Sequence, residues 1–186
     1  MSNNKHTDIL VIGSGPGGYA AAFRAADLGR EVTLVDKDPT LGGVCLNRGC
    51  IPSKTLLHIA KVLEEAESLK KMGVTFTKPT IDIDLVRDWK NKVVSQLSGG
   101  IGQMAKARSV NTIQAEATFL SDNEVQLKSE SNTETITFDH CIIASGSSST
   151  IIPGIPFDNE NVLTSKTALD LKKIPESLLV VGGGYI

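Results

Sequence analysis

Residues 8–18 read Asp8-Ile9-Leu10-Val11-Ile12-Gly13-Ser14-Gly15-Pro16-Gly17-Gly18. The apolar, β-branched run from Asp8 to Ile12 has the pattern of a buried strand. Gly13 to Gly18 follow it directly as a tight turn. Pro16 is tolerated in a first helical turn and Gly29 is placed to end a helix, so a helix is predicted from Pro16 to about Leu28. Glu31 to Val35 then reads as a second strand, closed by Asp36. Strand, turn, helix and strand make one βαβ unit. Its parallel strands imply an α/β fold built on a doubly wound, Rossmann-like parallel sheet.

The turn fits G-x-G-x-x-G, a spacing with a physical meaning. Gly13 permits the sharp turn, Gly15 lets backbone approach a pyrophosphate, and Gly18 lets helix and strand pack closely. The helix amino terminus offers free N–H groups and a positive dipole end to the anion. Asp36 ends the next strand eighteen residues after Gly18. There a carboxylate can accept hydrogen bonds from ribose hydroxyls, and its charge disfavours a 2′-phosphate.

Further along, Leu56, Ile59, Ala60, Leu63, Ala66 and Leu69 recur at helical spacing between Ser53 and Met72, with Gly73 as the stop. Asp84 reads as the cap of another helix carrying Leu85, Trp89, Val93 and Leu97 on one face, and Gly99-Gly100-Ile101-Gly102 as a place where it breaks or bends. Val110–Leu120, Glu124–Lys128 and Thr135–Ile143 read as strands of a small antiparallel meander returning to the main sheet. Thr164 or Ser165 should cap a short helix, and Leu178 to Val181 should open a new strand. The expected organisation is a dinucleotide-binding domain over residues 1–150, a linker with a short helix over 151–177, and the start of a second dinucleotide fold over 178–186. The chain therefore reads as the amino-terminal part of a longer enzyme.

The 186 residues carry a net charge of −2, which gives no basic patch for nucleic acid. No apolar run approaches the roughly 20 residues that span a bilayer. The polar start from Met1 to Asp8 lacks the apolar stretch of a signal peptide, so the expected location is cytoplasmic. Three cysteines make neither a closed disulfide framework nor a four-cysteine zinc site. Cys141, inside an apolar run, reads as a small buried hydrophobe.

Cys45 and Cys50 differ from Cys141. They lie five positions apart in Gly42-Gly43-Val44-Cys45-Leu46-Asn47-Arg48-Gly49-Cys50-Ile51-Pro52-Ser53-Lys54. If Cys50 begins a helix, backbone N–H groups and the dipole favour its thiolate, and Lys54 adds a positive charge one turn on. Cys45 is expected to be the more accessible thiol. Such a pair provides one sulfur to be attacked and one good leaving thiolate. His6, His58 and His140 show no constellation in the sequence.

At these residues the chain resembles the flavin-dependent pyridine nucleotide-disulfide oxidoreductases, within them the dihydrolipoyl dehydrogenase branch. The likeness continues through Leu56-Leu57-His58-Ile59-Ala60-Lys61-Val62 and Ala144-Ser145-Gly146-Ser147 to Gly182-Gly183-Gly184. The resemblance implies that Gly13, Ser14, Gly15, Pro16, Gly17 and Gly18 hold the FAD pyrophosphate and Asp36 the adenosine ribose. It implies that Lys37, Gly42, Gly43, Val44 and Cys45 line the flavin side, with Lys54 near its reactive edge. Ala117 would meet the adenine end through its backbone, and Ser145 and Gly146 would return the chain to the flavin. Gly182, Gly183, Gly184, Tyr185 and Ile186 would form the first turn of an NAD site.

The implied chemistry starts with a dihydrolipoyl thiolate attacking Cys45. Cys50 then leaves as a thiolate and passes two electrons through FAD to NAD⁺. The implied partners are the lipoyl domain of an E2 acyltransferase of 2-oxoacid dehydrogenase complexes and a second copy of the chain in a homodimer. Ser145 stands where threonine is usual, and Ala115 and Ala117 stand where glycines are common. The family's carboxyl-terminal histidine base has no counterpart here, so the 186 residues alone are expected to be inactive. A glutathione- or mercuric-reductase type of enzyme, or a non-catalytic flavin-binding fragment, are the competing readings.

Overall fold

A computed structural model describes residues 5–184. In chain order the elements are β1 (Lys5–Ile12), α1 (Pro16–Asp27), β2 (Val32–Asp36), α2 (Gly43–Arg48), α3 (Cys50–Ser68) and α4 (Ile83–Ala107). The strands β3 (Asn111–Gln114), β4 (Glu116–Ser121), β5 (Glu124–Lys128) and β6 (Thr133–Ile143) follow. The chain divides into two compact units, one within residues 1–47 and 95–147, the other within 48–94 and 148–186.

The first unit holds a six-stranded sheet in the order β3-β2-β1-β6-β5-β4. β3, β2, β1 and β6 run parallel, while β6, β5 and β4 pair antiparallel. The apolar part of β1, Ile9–Ile12, and the buried stretch of β2, Val32–Val35, lie at the centre of the sheet, where both faces are covered. Leu10 and Val35 enter one apolar cluster with Ala115, Val125, Leu127, Ile136 and Phe138. Val11 and Leu34 enter the other, with Ala22, Phe23, Ala105 and Val110. α1 turns Gly18, Ala22, Phe23 and Ala25 inward and stops where Gly29 takes φ +79°, as its sequence predicts.

Several expectations are corrected. Val110–Leu120 is not one strand: it divides at buried Ala115 into β3 and β4. The Ala115 N–H donates to the Asp36 carbonyl at 2.9 Å. β3 and β4 occupy opposite edges of the sheet yet are one residue apart in the chain, so the sheet curls until its edges meet. The apolar cluster around Leu127 and Ile136 fills that curl.

α4 begins before Asp84, and its cap is Asp82, whose Oδ1 accepts the N–H groups of Asp84 and Leu85 at 3.0 and 3.1 Å. The helix runs unbroken through Gly99, Gly100 and Gly102, none of which takes a positive φ. α3 runs on as one 3₁₀ turn, Leu69–Met72, and stops at Gly73 with φ +87° as expected. The expected short helix is a single 3₁₀ turn, Thr167–Asp170, with Thr164 Oγ1 accepting the Thr167 N–H at 3.2 Å.

Leu178–Val181 does not form a strand. All four residues are exposed and no described strand pairs with them. A strand is stabilised by a neighbour that takes up its N–H and C=O groups, which an apolar sequence does not supply by itself. Among the described residues no helix is long and apolar enough to cross a membrane.

Candidate functional site

The carboxyl ends of β1, β2 and β6 deliver three loops to one place, the usual ligand position of an open parallel sheet. The first loop is the glycine turn. Gly13 takes φ +100°, and a Cβ there would meet the Ala144 carbonyl oxygen at 2.2 Å. A Cβ on Gly18 would meet the Gly13 carbonyl oxygen at 1.7 Å. Both positions admit only glycine. Gly15 is the N-cap of α1, with no side chain bonded to the helix end. The first-turn N–H groups therefore remain for an anion.

The second loop follows β2. Asp36 Oδ2 accepts the Ser14 N–H at 2.7 Å and the Ser14 hydroxyl at 2.6 Å, and Oδ1 accepts the Asp38 N–H at 2.9 Å. Gly42 then donates to the Ser14 carbonyl at 2.9 Å. Gly43, at φ +60°, lies so close that a Cβ would sit 2.6 Å from the Gly15 Cα. α2 starts at this point and carries Val44 and Cys45, with Leu46 buried beneath. The third loop, after β6, is anchored by the Ala144 N–H on the Ile12 carbonyl at 2.7 Å, with Ser145 and Gly146 next in the chain.

The fold thus gathers Gly13–Gly18, Asp36, Gly42, Gly43 and the start of the 144–146 loop. Lys37 is exposed beside this site, and its carbonyl accepts the Gln114 amide at 3.4 Å. Ala117 lies on β4, two residues beyond the Ala115 that bonds to Asp36. Cys50, Lys54 and Gly182–Gly184 belong to the second unit. Tyr185 and Ile186 lie outside the described residues.

In that second unit Cys50 is the first residue of α3, with Gly49 as N-cap and no side chain bonded there. Ser53 turns its N–H and its hydroxyl back to the Gly49 carbonyl, at 3.0 and 2.6 Å. Pro52 is buried in the first turn, and Lys54 is exposed one turn on. The expected order of accessibility is reversed, since Cys50 is exposed and Cys45 half-buried. Cys45 belongs to a helix lying on the glycine turn, whereas Cys50 occupies an open helix end. Cys50 and Cys141 are free thiols. Burial pushes the Cys141 thiol above its ordinary pKa, in keeping with its packing against the Leu127 cluster.

Two features escape the sequence reading. His6 is not isolated: its Nδ1 lies 3.0 Å from Thr137 Oγ1 and its Nε2 3.5 Å from Asp139 Oδ1. Asp8 completes a group whose ligand-type atoms lie within 4.8 Å of one another. The parallel register of β1 on β6 creates it, and Asp8 Oδ2 is held separately by the Glu31 N–H at 3.0 Å. His58, in contrast, is an exposed residue of α3. In the second unit, Lys90 is buried and donates to the Leu169 carbonyl at 2.6 Å. Burial lowers its pKa, a shift partly offset by Asp170.

Residues 7–186 match the pyridine nucleotide-disulphide oxidoreductase family. The chain belongs to that family. Among its relatives it is similar to the dihydrolipoyl dehydrogenase of Vibrio cholerae, 47% identical over 186 residues that cover all of this chain and 39% of that protein. It is similar as well to the Bacillus subtilis dihydrolipoyl dehydrogenase, 48% identical over 180 residues that cover 97% of this chain and 38% of that one. Among solved structures it is similar to the Cu(II) complex of a mutant of the HOCl-induced flavoprotein disulfide reductase RclA from Escherichia coli. That match has a TM-score of 0.75 at 26% identity and covers 92% of this chain and 36% of the other. The chain thus spans about two-fifths of the length of the curated family members it matches.

Proposed function

We propose that this chain is the FAD-binding part of a dihydrolipoyl dehydrogenase, which reoxidises protein-bound dihydrolipoamide and reduces NAD⁺. The observation that carries the reading is the packing of Gly43 on Gly15. It seats the helix bearing Cys45 directly on a turn shaped for a dinucleotide pyrophosphate. The 47–48% identity to dihydrolipoyl dehydrogenases over nearly the whole chain supports the same conclusion.

Gly13, Ser14, Gly15, Pro16, Gly17 and Gly18 surround the pyrophosphate in this reading, and Asp36 accepts from the adenosine ribose. Ala117 lies toward the adenine. Lys37, Gly42, Gly43, Val44, Ser145 and Gly146 lie toward the flavin, and Lys54 places its charge near the flavin's reactive edge. FAD, when bound, supplies a two-electron acceptor that NAD⁺ can empty.

The chain's own part is thiol exchange. A dihydrolipoyl thiolate attacks Cys45 Sγ of the oxidised pair and the Cys45–Cys50 bond breaks. The electron pair stays on Cys50 as thiolate, where the amino end of α3 favours negative charge. The second lipoyl thiol, once deprotonated, then attacks the mixed disulfide. Lipoamide leaves oxidised and both cysteines are reduced. Residues 1–150 supply most of the FAD domain, 151–177 a linker, and 178–186 the opening of an NAD domain whose first turn is Gly182–Ile186. The partners are a lipoyl domain of an E2 acyltransferase and a second copy of the chain.

The test is to purify the chain, equilibrate it with FAD, remove free flavin and record the visible spectrum. A yellow protein that dihydrolipoamide bleaches faster than glutathione does is expected. A folded, colourless chain refutes the FAD assignment, and faster bleaching by glutathione refutes the lipoyl one.

A further inference from the structure

Ser14 is the one member of the Gly13–Gly18 turn whose side chain can donate a hydrogen bond, and it is wholly buried. Its hydroxyl and its N–H converge on the same oxygen, Asp36 Oδ2, at 2.6 and 2.7 Å. The other carboxylate oxygen accepts the Asp38 N–H at 2.9 Å. The Ser14 carbonyl accepts the Gly42 N–H, so this residue joins the glycine turn both to the end of β2 and to the start of α2.

We propose that Ser14 is a positioning residue for Asp36, locking the ribose-binding carboxylate to the pyrophosphate turn so that both halves of the nucleotide site are set together. The inference rests on the reading above, in which Asp36 accepts from the ribose. A hydroxyl hydrogen held by a carboxylate is not available to a phosphate oxygen, and the Oγ lone pairs repel an anion. Ser14 therefore acts toward a dinucleotide through Asp36, not by touching the phosphates. Aspartate suits the lock because its short side chain leaves few rotamers. Donors on both oxygens fix the plane of the carboxylate, and hydrogen bonds to a charged acceptor are among the stronger ones.

The test is a double-mutant cycle with Ser14→Ala and Asp36→Asn, titrating the full chain with ADP and with adenosine by calorimetry. Circular dichroism and urea midpoints establish that each variant folds. Ser14→Ala is expected to weaken both ligands about tenfold, the loss of one charge-assisted hydrogen bond. In the Asp36→Asn background the same change should cost no more than about twofold, because its effect is routed through the carboxylate. A ligand-free readout accompanies it: the Asp38 amide should exchange faster in Ser14→Ala.

Weakened ADP binding with unchanged adenosine binding overturns the proposal, since Ser14 would then act on phosphate. Additive costs across the cycle overturn it as well. A wild-type chain that binds neither ligand overturns the nucleotide reading itself. Asp38 exchange then still decides whether Ser14 holds the carboxylate.

Discussion

Replacing Gly43 by alanine tests whether the seat of α2 on the glycine turn organises this site. A Cβ at Gly43 would stand 2.6 Å from the Gly15 Cα and 3.0 Å from its nitrogen, both backbone atoms that cannot rotate away. The left-handed conformation, at φ +60°, adds about 1 kcal/mol for any residue with a Cβ. Relieving the clash costs about 1–3 kcal/mol more, as overpacking does elsewhere. The sum of about 2–4 kcal/mol is a large share of the stability of an ordinary domain. At about 2–4 °C per kcal/mol it corresponds to a fall in Tm of about 4–16 °C. Urea unfolding followed by circular dichroism measures the loss, and flavin retention measures the consequence for the site. Gly99→Ala is the control, since a Cβ at Gly99, in α4 and away from the glycine turn, meets nothing within 4 Å. A Gly43→Ala chain with wild-type urea midpoint and wild-type flavin retention would refute the reasoning.

Other outcomes follow from the same structure. Asp82→Ala should cost about 1 kcal/mol by uncapping α4, while Asp84→Ala, which loses only an exposed ion pair with Arg87, should cost a few tenths. Equal urea midpoints for the two variants would contradict the cap assignment. Iodoacetamide at mild alkaline pH should label exposed Cys50 first and Cys141, half-buried with a raised pKa, last, as peptide mass spectrometry of timed samples can show. For Lys90 the folded pKa is depressed below 10.5, so the unfolded chain holds its proton to higher pH. This residue's contribution to stability therefore rises with pH between the two values, and Lys90→Met should abolish that rise in a urea series toward pH 10.5. An unchanged pH dependence in the variant would exclude the effect.

What the sequence made legible was local. The β1–α1–β2 unit, the Gly29 and Gly73 stops and the start of α3 at Cys50 all depend on residues within one or two turns of each other. So does the match of Gly13 and Gly18 to a turn that tolerates no Cβ. The missed features depend on distant partners. His6 meets Asp139 through the β1–β6 register, across more than 130 positions of chain. Lys90 is buried because a carbonyl 79 residues away receives its ammonium group. The division at Ala115 follows from the curl that brings opposite sheet edges together, and no periodicity within Val110–Leu120 encodes it. The order of cysteine exposure inverted for a similar reason, since α2 rests on a turn formed thirty residues earlier.

Glycine composition alone would have misdirected the reading. Gly13, Gly18 and Gly43 stand where a Cβ would meet backbone at 2.6 Å or less, and they converge on one crevice. Gly99, Gly100 and Gly102 form an equally conspicuous cluster, yet a Cβ on any of them meets nothing within 4 Å. They sit inside a continuous helix. The difference comes from what surrounds each cluster. The first follows a strand buried on both faces, whose carboxyl end must turn sharply beneath a neighbouring loop. The second lies within a helix whose hydrogen bonds carry the chain through, at a propensity cost of up to about 1 kcal/mol per glycine. The same distinction governs Leu178–Val181, which repeats the apolar run of β1 before another set of glycines and stays exposed. A sheet receives Asp8–Ile12 on both sides, whereas no described strand pairs with Leu178–Val181.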